Sequence, residues 1–490
     1  MSKYHVILTP EASRWQLWAA VNLADNGADV TIIHNAPYCK PAPQSWQQSL
    51  EQKKCYVEID ENRIKSIKHT DIKVEDGDVI INICGVPSEF LRSTYGSNIR
   101  IWDVYYHNAR LASLSHLGEM EQQQRCATID IRLIEDNSQL VDTARYNIHY
   151  SAVRNFSVAA YSVYWLIIKA IKANSKTTSA ISLKEESVTY SKSKYIFSFY
   201  RTIATMKLNE LRNRLTGFYD EQWTVGIGKG SFIEKGIKDL HVLPMPKDEF
   251  WADPFLYHNK VDGKNYLFIE RFPFDSKKGV LSCGEINENL NVHNMHDVLV
   301  RDYHFSYPHL IEEDGELFMM PECSANRRLE VYRCVDFPDK WELYSTGMEG
   351  ESLADTVYYR DKNGDAWIFT AQRDTSADLH CTLMNIYKVD SLKFNKVTPH
   401  RLNPIIIDSS HSRNGGRIYE EDSKLYRVAQ DNTHGRYGYG ISVRQIIKLT
   451  LEEYEEVEVK YQKGEDIPGF IGTHQMCQIE GMFVMDLRKV

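Results

Sequence analysis

The sequence predicts a multidomain chain in which an α/β domain precedes an all-β domain of five repeated units. Three observations carry this. The chain has 490 residues, too many for one ordinary domain. Its first 150 residues alternate strand-length apolar runs with helical periodicity, as α/β sheets of parallel character do. Beyond residue 222 helical periodicity nearly vanishes, and short aromatic-rich strands recur between Gly and Asp turns.

In the first domain, Tyr4–Leu8 is an apolar run of strand length. Ser13–Asn26 sets Trp15, Trp18, Val21 and Leu23 at near-helical spacing and stops at Gly27. Apolar runs at 29–34, 79–85, 99–107 and 127–135 continue the alternation, so residues 1–150 are expected to be Rossmann-like. No GxGxxG or GxxxxGK(S/T) follows the first strand, so no phosphate-cradling loop is expected.

Residues 151–221 read as a basic helical connector: an apolar-faced helix at 153–174, a polar linker at 175–193 and a basic amphipathic helix at 194–217. Residues 151–240 hold 14 Lys+Arg against 7 Asp+Glu, or +7, which leaves −16 for the rest of a chain of net charge −9. A basic segment in an acidic protein suits an anionic membrane surface or a lipid-linked phosphate, and peripheral membrane contact is expected here; the alternative is a solvated helix face. The acidic whole argues against nucleic-acid binding. The nine cysteines are scattered without zinc spacing, the N-terminus lacks a signal-peptide pattern, and no run reaches the roughly 18 apolar residues of a membrane span. The expected location is cytoplasmic, at the inner face of the membrane.

Residues 222–490 repeat one pattern: a polar anchor, a strand, a turn and an aromatic strand. With Asp253, Tyr307, Asp355, Gly415 and His474 as anchors, the steps are 54, 48, 60 and 59 residues. Five mostly-strand units of that length predict a five-bladed β-propeller whose anchors converge at one end of the axis. The 29 tyrosines, against 18 Phe, fit strands with wet aromatic surfaces.

The converging anchors supply the candidate site. Asp253, Glu322 and Asp355 are the candidate catalytic groups, because glycosyl chemistry uses one carboxylate at the anomeric centre and another to exchange a proton with oxygen. Arg327, Arg373 and Arg413 offer cations for carboxylate or phosphate. Trp251, Tyr307 and Tyr437 offer stacking faces, and His309 and His474 are candidate substrate ligands or channel residues. The stretch from Arg413 through Gln430 and Asp431 to Tyr437 is dense in polar, aromatic and glycine residues and is the best binding-site candidate. No metal-ligand spacing appears, no cofactor is evident, and a nucleotide sugar is the expected donor.

Several runs carry a resemblance. Trp251-Ala-Asp-Pro-Phe, Pro321 to Arg333, Asp355-Thr-Val and Arg427-Val-Ala-Gln-Asp431 resemble the propeller domain at the N-terminus of plant glucosamine inositolphosphorylceramide transferases. That domain is similar to the five-bladed domains of family 43 glycoside hydrolases, in which two Asp and one Glu act as base, pKa modulator and acid. The resemblance implies those roles for Asp253, Asp355 and Glu322. Residues 76–85 and 101–110, with Arg154-Asn155, resemble the formyltransferase-like domain that bacterial proteins join to this propeller. The His of that family falls on Tyr105, with His107 out of register, so the resemblance implies a nucleotide-sugar or scaffold role rather than formyl transfer.

The sequence thus predicts a carbohydrate-active enzyme of surface polysaccharide or glycolipid biosynthesis, with glycosyl transfer in an acidic propeller funnel onto a carbohydrate or lipid-linked glycan. The alternatives are a family 43-type hydrolase and a non-catalytic glycan-binding or scaffold protein.

Overall fold

The structure is a computed structural model. It describes residues 222–489 apart from 245 and 375–377, and in the N-terminal part chiefly residues 3–34, 72–110, 128–147 and 152–180, with ten positions between 193 and 212. His107 lies outside the described residues. Two compact units emerge, residues 1–206 with 374–379 and residues 207–373 with 380–490.

The N-terminal unit is a mixed sheet with helices. β1 (Tyr4–Leu8), α1 (Arg14–Asn26), β2 (Val30–His34), β3 (Val79–Asn82), α2 (Ser88–Tyr95) and β4 (Arg100–Tyr106) come first, then β5 (Ala109–Arg110), β6 (Thr128–Glu135), β7 (Gln139–Asn147), α3 (Ala152–Ala173) and β8 (Ser179–Ala180). The strand order is β2-β1-β3-β4-β6-β7-β8, with β5 on β4. Pairing is parallel across β2-β1-β3-β4 and antiparallel from β4 to β8. The parallel character expected from the sequence therefore covers only half the sheet. β6 and β7 are joined through a short turn at Asp136 (φ 49°), and so short a connection admits only antiparallel pairing.

Ser13 and Gln16 form a capping box at the start of α1, which explains where that helix begins. The 18-residue window Phe156–Ala173 of α3 is apolar enough to cross a membrane, but 72% of it is buried within the protein. The helix read as the start of a connector packs on α1 and β7 in the core of the N-terminal unit. Beside the end of β3, Asp103 in the middle of β4 is fully buried; Asn82 Nδ2 donates to it at 2.7 Å and Arg110 Nη2 lies 3.1 Å away.

The second unit is a five-bladed propeller. Blade one is β11 (Glu249–Asn259), β12 (Lys264–Pro273), β13 (Val280–Ile286) and β14 (Val292–Leu299). Blade two is β15 (Ser306–Glu313), β16 (Glu316–Glu322), β17 (Leu329–Asp336) and β18 (Lys340–Gly347). Blade three is β19 (Leu353–Arg360), β20 (Ala366–Gln372), β21 (Leu383–Val389) and β22 (Val397–Pro399), with β23 (Ile406–Ile407) also on β21. Blade four is β24 (Tyr419–Glu421), β25 (Lys424–Asp431), β26 (Gly440–Leu449) and β27 (Tyr454–Lys463). Blade five joins the two ends of the propeller sequence in the order β10-β9-β29-β28, from β9 (Gln222–Lys229), β10 (His241–Val242), β28 (Met476–Ile479) and β29 (Met482–Lys489). Every residue of β9 pairs with β29, which closes the ring.

The blades read as continuous apolar runs because both faces of each sheet are covered by neighbours. Leu267, Phe268 and Ile269 are consecutive and all fully buried. They share one core with Val225, Phe255, Met319, Phe369 and Val484, drawn from four blades.

Candidate active site

The first strands of blades one, two and three share a local distortion. Register slips between Ala252 and Phe255, between Ser306 and His309, and between Ala354 and Val357. In each bulge one residue has a left-handed backbone: Asp253 at φ 49°, Tyr307 at 51° and Asp355 at 45°. Such a conformation costs a non-glycine residue about 1–3 kcal/mol and persists where surrounding contacts over-determine it. Three anchors of the predicted repeat thus carry the same backbone strain, and their side chains or amides reach other blades.

Asp253 is buried and crosses to blade five. Its Oδ1 lies 2.9 Å from His474 Nε2, and its Oδ2 accepts the Tyr307 amide at 3.0 Å. The other ring nitrogen, His474 Nδ1, lies 2.9 Å from Asp486 Oδ2. Burial alone would lower the His474 pKa, but Asp486 and Asp253 override it and raise the imidazole to about 10. His474 is therefore a cation held between two carboxylates. Burial raises the Asp253 carboxyl against the pull of that cation.

Asp355 forms the second focus. Arg413 Nε donates to Asp355 Oδ2 at 2.6 Å, and Arg413 Nη2 reaches both Asp355 Oδ1 at 3.3 Å and Glu322 Oε2 at 3.4 Å. Glu322 Oε2 also accepts the Asp355 amide at 3.2 Å, and Gln430 Nε2 donates to Asp355 Oδ2. Burial raises the Asp355 carboxyl, Arg413 opposes it, Glu322 reinforces it, and the result is about 7. Tyr437 joins the two foci: its ring lies 5.4 Å from the Arg413 guanidinium and 5.1 Å from the His474 ring.

Beneath them Tyr307 acts as a floor. Fully buried, it crosses from blade two to blade four, where its hydroxyl donates to Gly416 O at 2.9 Å and accepts the Gly416 amide at 3.0 Å. Tyr307, expected as a sugar-stacking face, is thus sealed inside. Gly416 sits at φ 147°, and a Cβ there would lie 1.9 Å from Met476 O, so only glycine allows the crossing.

Other candidates stand apart. His309 Nε2 faces the backbone of Tyr358 in blade three, at 3.1 Å from its amide and 3.2 Å from its carbonyl oxygen; burial and Arg417 lower its pKa to about 3, so it is a neutral tie between blades. Trp251 donates its indole N–H to Glu249, which also pairs with Arg271. Arg327 is exposed and donates to Gly350 O. Arg373 donates to Ser352 Oγ at 3.1 Å, which in turn lies 3.0 Å from His380 Nε2. Asp431 organises a turn, accepting the Thr433 amide and hydroxyl and the Tyr461 hydroxyl.

Two carboxylates of the cluster escape sequence reasoning. Glu270 pairs with Ala252 across blade one and is buried beside His304, whose Nε2 lies 3.5 Å from its Oε1. Burial and the neighbouring Asp253 hold its carboxyl well above the usual range. The Gly279 amide donates to His304 Nδ1 at 2.9 Å, so that ring is an acceptor at Nδ1, and burial lowers its pKa. Asp486, fully buried, accepts the amides of His474 and Gln475 at 2.8 and 3.0 Å. Both residues follow the apolar run of the second strand of their blade, as Glu322 does, so the repeat itself held the signal.

Five carboxyl groups, at 253, 270, 322, 355 and 486, thus face two cations, Arg413 and His474. Asp253, His474 and Asp486 place ligand-type atoms within 4.8 Å of one another, a spacing compatible with a metal, although the ion pairs already satisfy it. Groups whose environments push protonation in different directions can serve as acid and base.

Residues 243–470 match the family model described as glucosamine inositolphosphorylceramide transferase 1, N-terminal. The Arabidopsis thaliana glucosamine inositolphosphorylceramide transferase 1 is 32% identical over 216 residues, which cover 43% of this chain and 27% of the relative. Its counterpart from Oryza sativa subsp. japonica is 30% identical over 214 residues, 43% of this chain and 28% of the relative. The match thus spans little more than a quarter of these relatives. Among solved structures, a family 43 β-xylosidase/α-arabinofuranosidase from a compost metagenome is 12% identical, covering 49% of this chain and 90% of its own, with a TM-score of 0.36. A family 43 enzyme from Xanthomonas citri is 9% identical, covering 49% and 87%, with a TM-score of 0.34.

Proposed function

We propose that the acidic cluster of the propeller carries out glycosyl transfer in glycolipid or surface-polysaccharide synthesis, from a nucleotide sugar to a lipid-linked acceptor. The observation that supports this reading most is the divergence of protonation within one cluster. Burial and Asp253 hold the Glu270 carboxyl well above the usual range, Asp253 is ion-paired to His474, and Asp355 is raised to about 7 by burial against the pull of Arg413. In the proposed reaction a carboxylate takes the acceptor hydroxyl proton as that oxygen bonds the anomeric carbon, while a carboxylic acid protonates the departing oxygen. Asp355 is assigned the base and Glu270 the acid; Asp253 and Glu322 stabilise positive charge on the sugar, and Tyr437 offers the ring face. In this reading the departing oxygen is the donor's phosphate oxygen, so the phosphate bonded to the sugar is assigned beside Glu270. The names of the plant relatives support a glycolipid acceptor.

A second reading, sugar binding without turnover, draws on how fully the two Asp groups are engaged. Asp355 is held by Arg413 and Gln430, and Asp253 by His474 and the Tyr307 amide.

Incubation with a nucleotide-sugar panel and inositol-phosphate glycolipid acceptors tests both. The transferase reading expects turnover that Asp355→Asn and Glu270→Gln each reduce by roughly 100-fold or more, as for loss of a general acid or base. Turnover that Asp253→Asn and Asp355→Asn both leave intact would sink the assignment of the site. Saturable sugar binding without turnover supports the second reading, and release of sugar to water supports a hydrolase.

A further inference from the structure

Ten positions between residues 193 and 212 are described, and all ten are helical and exposed. Among them are large apolar side chains: Phe197 is 70% exposed, Leu208 64% and Leu211 53%. At 100° per residue, Phe197, Tyr200, Ala204, Leu208 and Leu211 fall within one arc of about 80°. Lys207 projects to one edge of that arc and Arg201 and Arg212 to the other. A stripe of this size facing water is a feature that a partner normally covers.

Charge identifies the partner. Residues 191–217 carry Lys192, Lys194, Arg201, Lys207, Arg212 and Arg214 against Glu210, a formal +5 within a chain of −9. A second copy of the helix would bring basic edges against basic edges, which opposes self-association. An anionic bilayer complements both features, because its interface takes the apolar stripe while its headgroups meet the flanking cations. We propose that this segment is a peripheral membrane-binding helix that lays the Phe197–Leu211 stripe into the surface of an anionic membrane, with Arg201 and Lys207 on the headgroups. The proposal does not depend on any chemistry in the propeller.

Sedimentation of the full chain with lipid vesicles tests it. Binding is expected to vesicles of phosphatidylcholine mixed with phosphatidylglycerol, to weaken with added salt, and to be much weaker on phosphatidylcholine alone. Phe197→Asp combined with Leu208→Asp is expected to reduce partitioning by at least roughly tenfold, through lost apolar burial. Arg201→Gln and Lys207→Gln are each expected to reduce it about fivefold. These side chains are exposed, so the melting temperature of each variant should match that of the unmodified chain, which separates lost binding from lost folding. Three results would overturn the proposal: no sedimentation with either vesicle, equal binding to both, or binding that the double aspartate variant leaves unchanged. Dimerisation that the aspartate variant abolishes, without vesicle binding, would assign the stripe to a protein partner instead.

Discussion

Two carboxylates grip His474 from opposite ring nitrogens, and this has a measurable consequence for stability. Its pKa is raised to about 10 in the folded protein, against about 6.5 in an unfolded chain. A raised basic group stabilises fully below its unfolded pKa and loses that contribution as pH climbs towards the folded one. Urea denaturation is therefore expected to show stability falling between about pH 7 and 10, and His474→Asn should flatten that slope. A variant with the same slope as the parent would show that the imidazolium is not held this way. His474 and Asp253 were legible as anchors because each begins a repeat unit. Glu270 and Asp486 were not, although each follows an apolar run within its strand just as Glu322 does. Acids are ordinarily solvated, and a single strand does not reveal that one of its residues faces a crowd of other carboxyls. Conversely, Trp251 and Arg327 have suitable chemistry but engage Glu249 and Gly350, a difference of direction that residue type does not encode.

At the scale of elements, the bulge in the first strand is the device that makes a site from a repeat. A regular strand would send alternate side chains into the inter-blade core. The slip at Asp253, Tyr307 and Asp355 instead turns one residue in each of blades one to three towards another blade. The repeat was readable from turns and apolar runs, whereas the slip was not, because a left-handed Asp leaves no mark beyond its own identity. The opposing element is the glycine pair before β24. Gly416→Ala is expected to cost about 2–4 kcal/mol, since its Cβ would meet the Met476 carbonyl and its φ disfavours any side chain. Chemical denaturation measures this, and a loss below 1 kcal/mol would show that the Tyr307 crossing can relax. In the N-terminal unit, the strands were legible but half of their directions were not, because apolar runs carry no polarity.

At the scale of the molecule, the propeller is held shut by β9 and β29 pairing along their full length. Deleting residues 482–490 should abolish cooperative melting of the propeller rather than merely lower its midpoint, because blade five would lose the strand that joins β9 to β28. A truncated chain that still melts in one sharp transition would contradict this. The same closure sets a timetable during synthesis. β9 ends at residue 229 and its partner begins at 482, so 253 residues must emerge before the two can meet. At roughly 5–20 residues per second this is a wait of about 13–50 seconds. Throughout it Asp253 is without His474 and Asp486, and the ring has an open strand edge. The Asp253–His474–Asp486 focus is therefore the last part of the propeller to be assembled, and a chain released early carries the Asp355–Arg413–Glu322 focus without it.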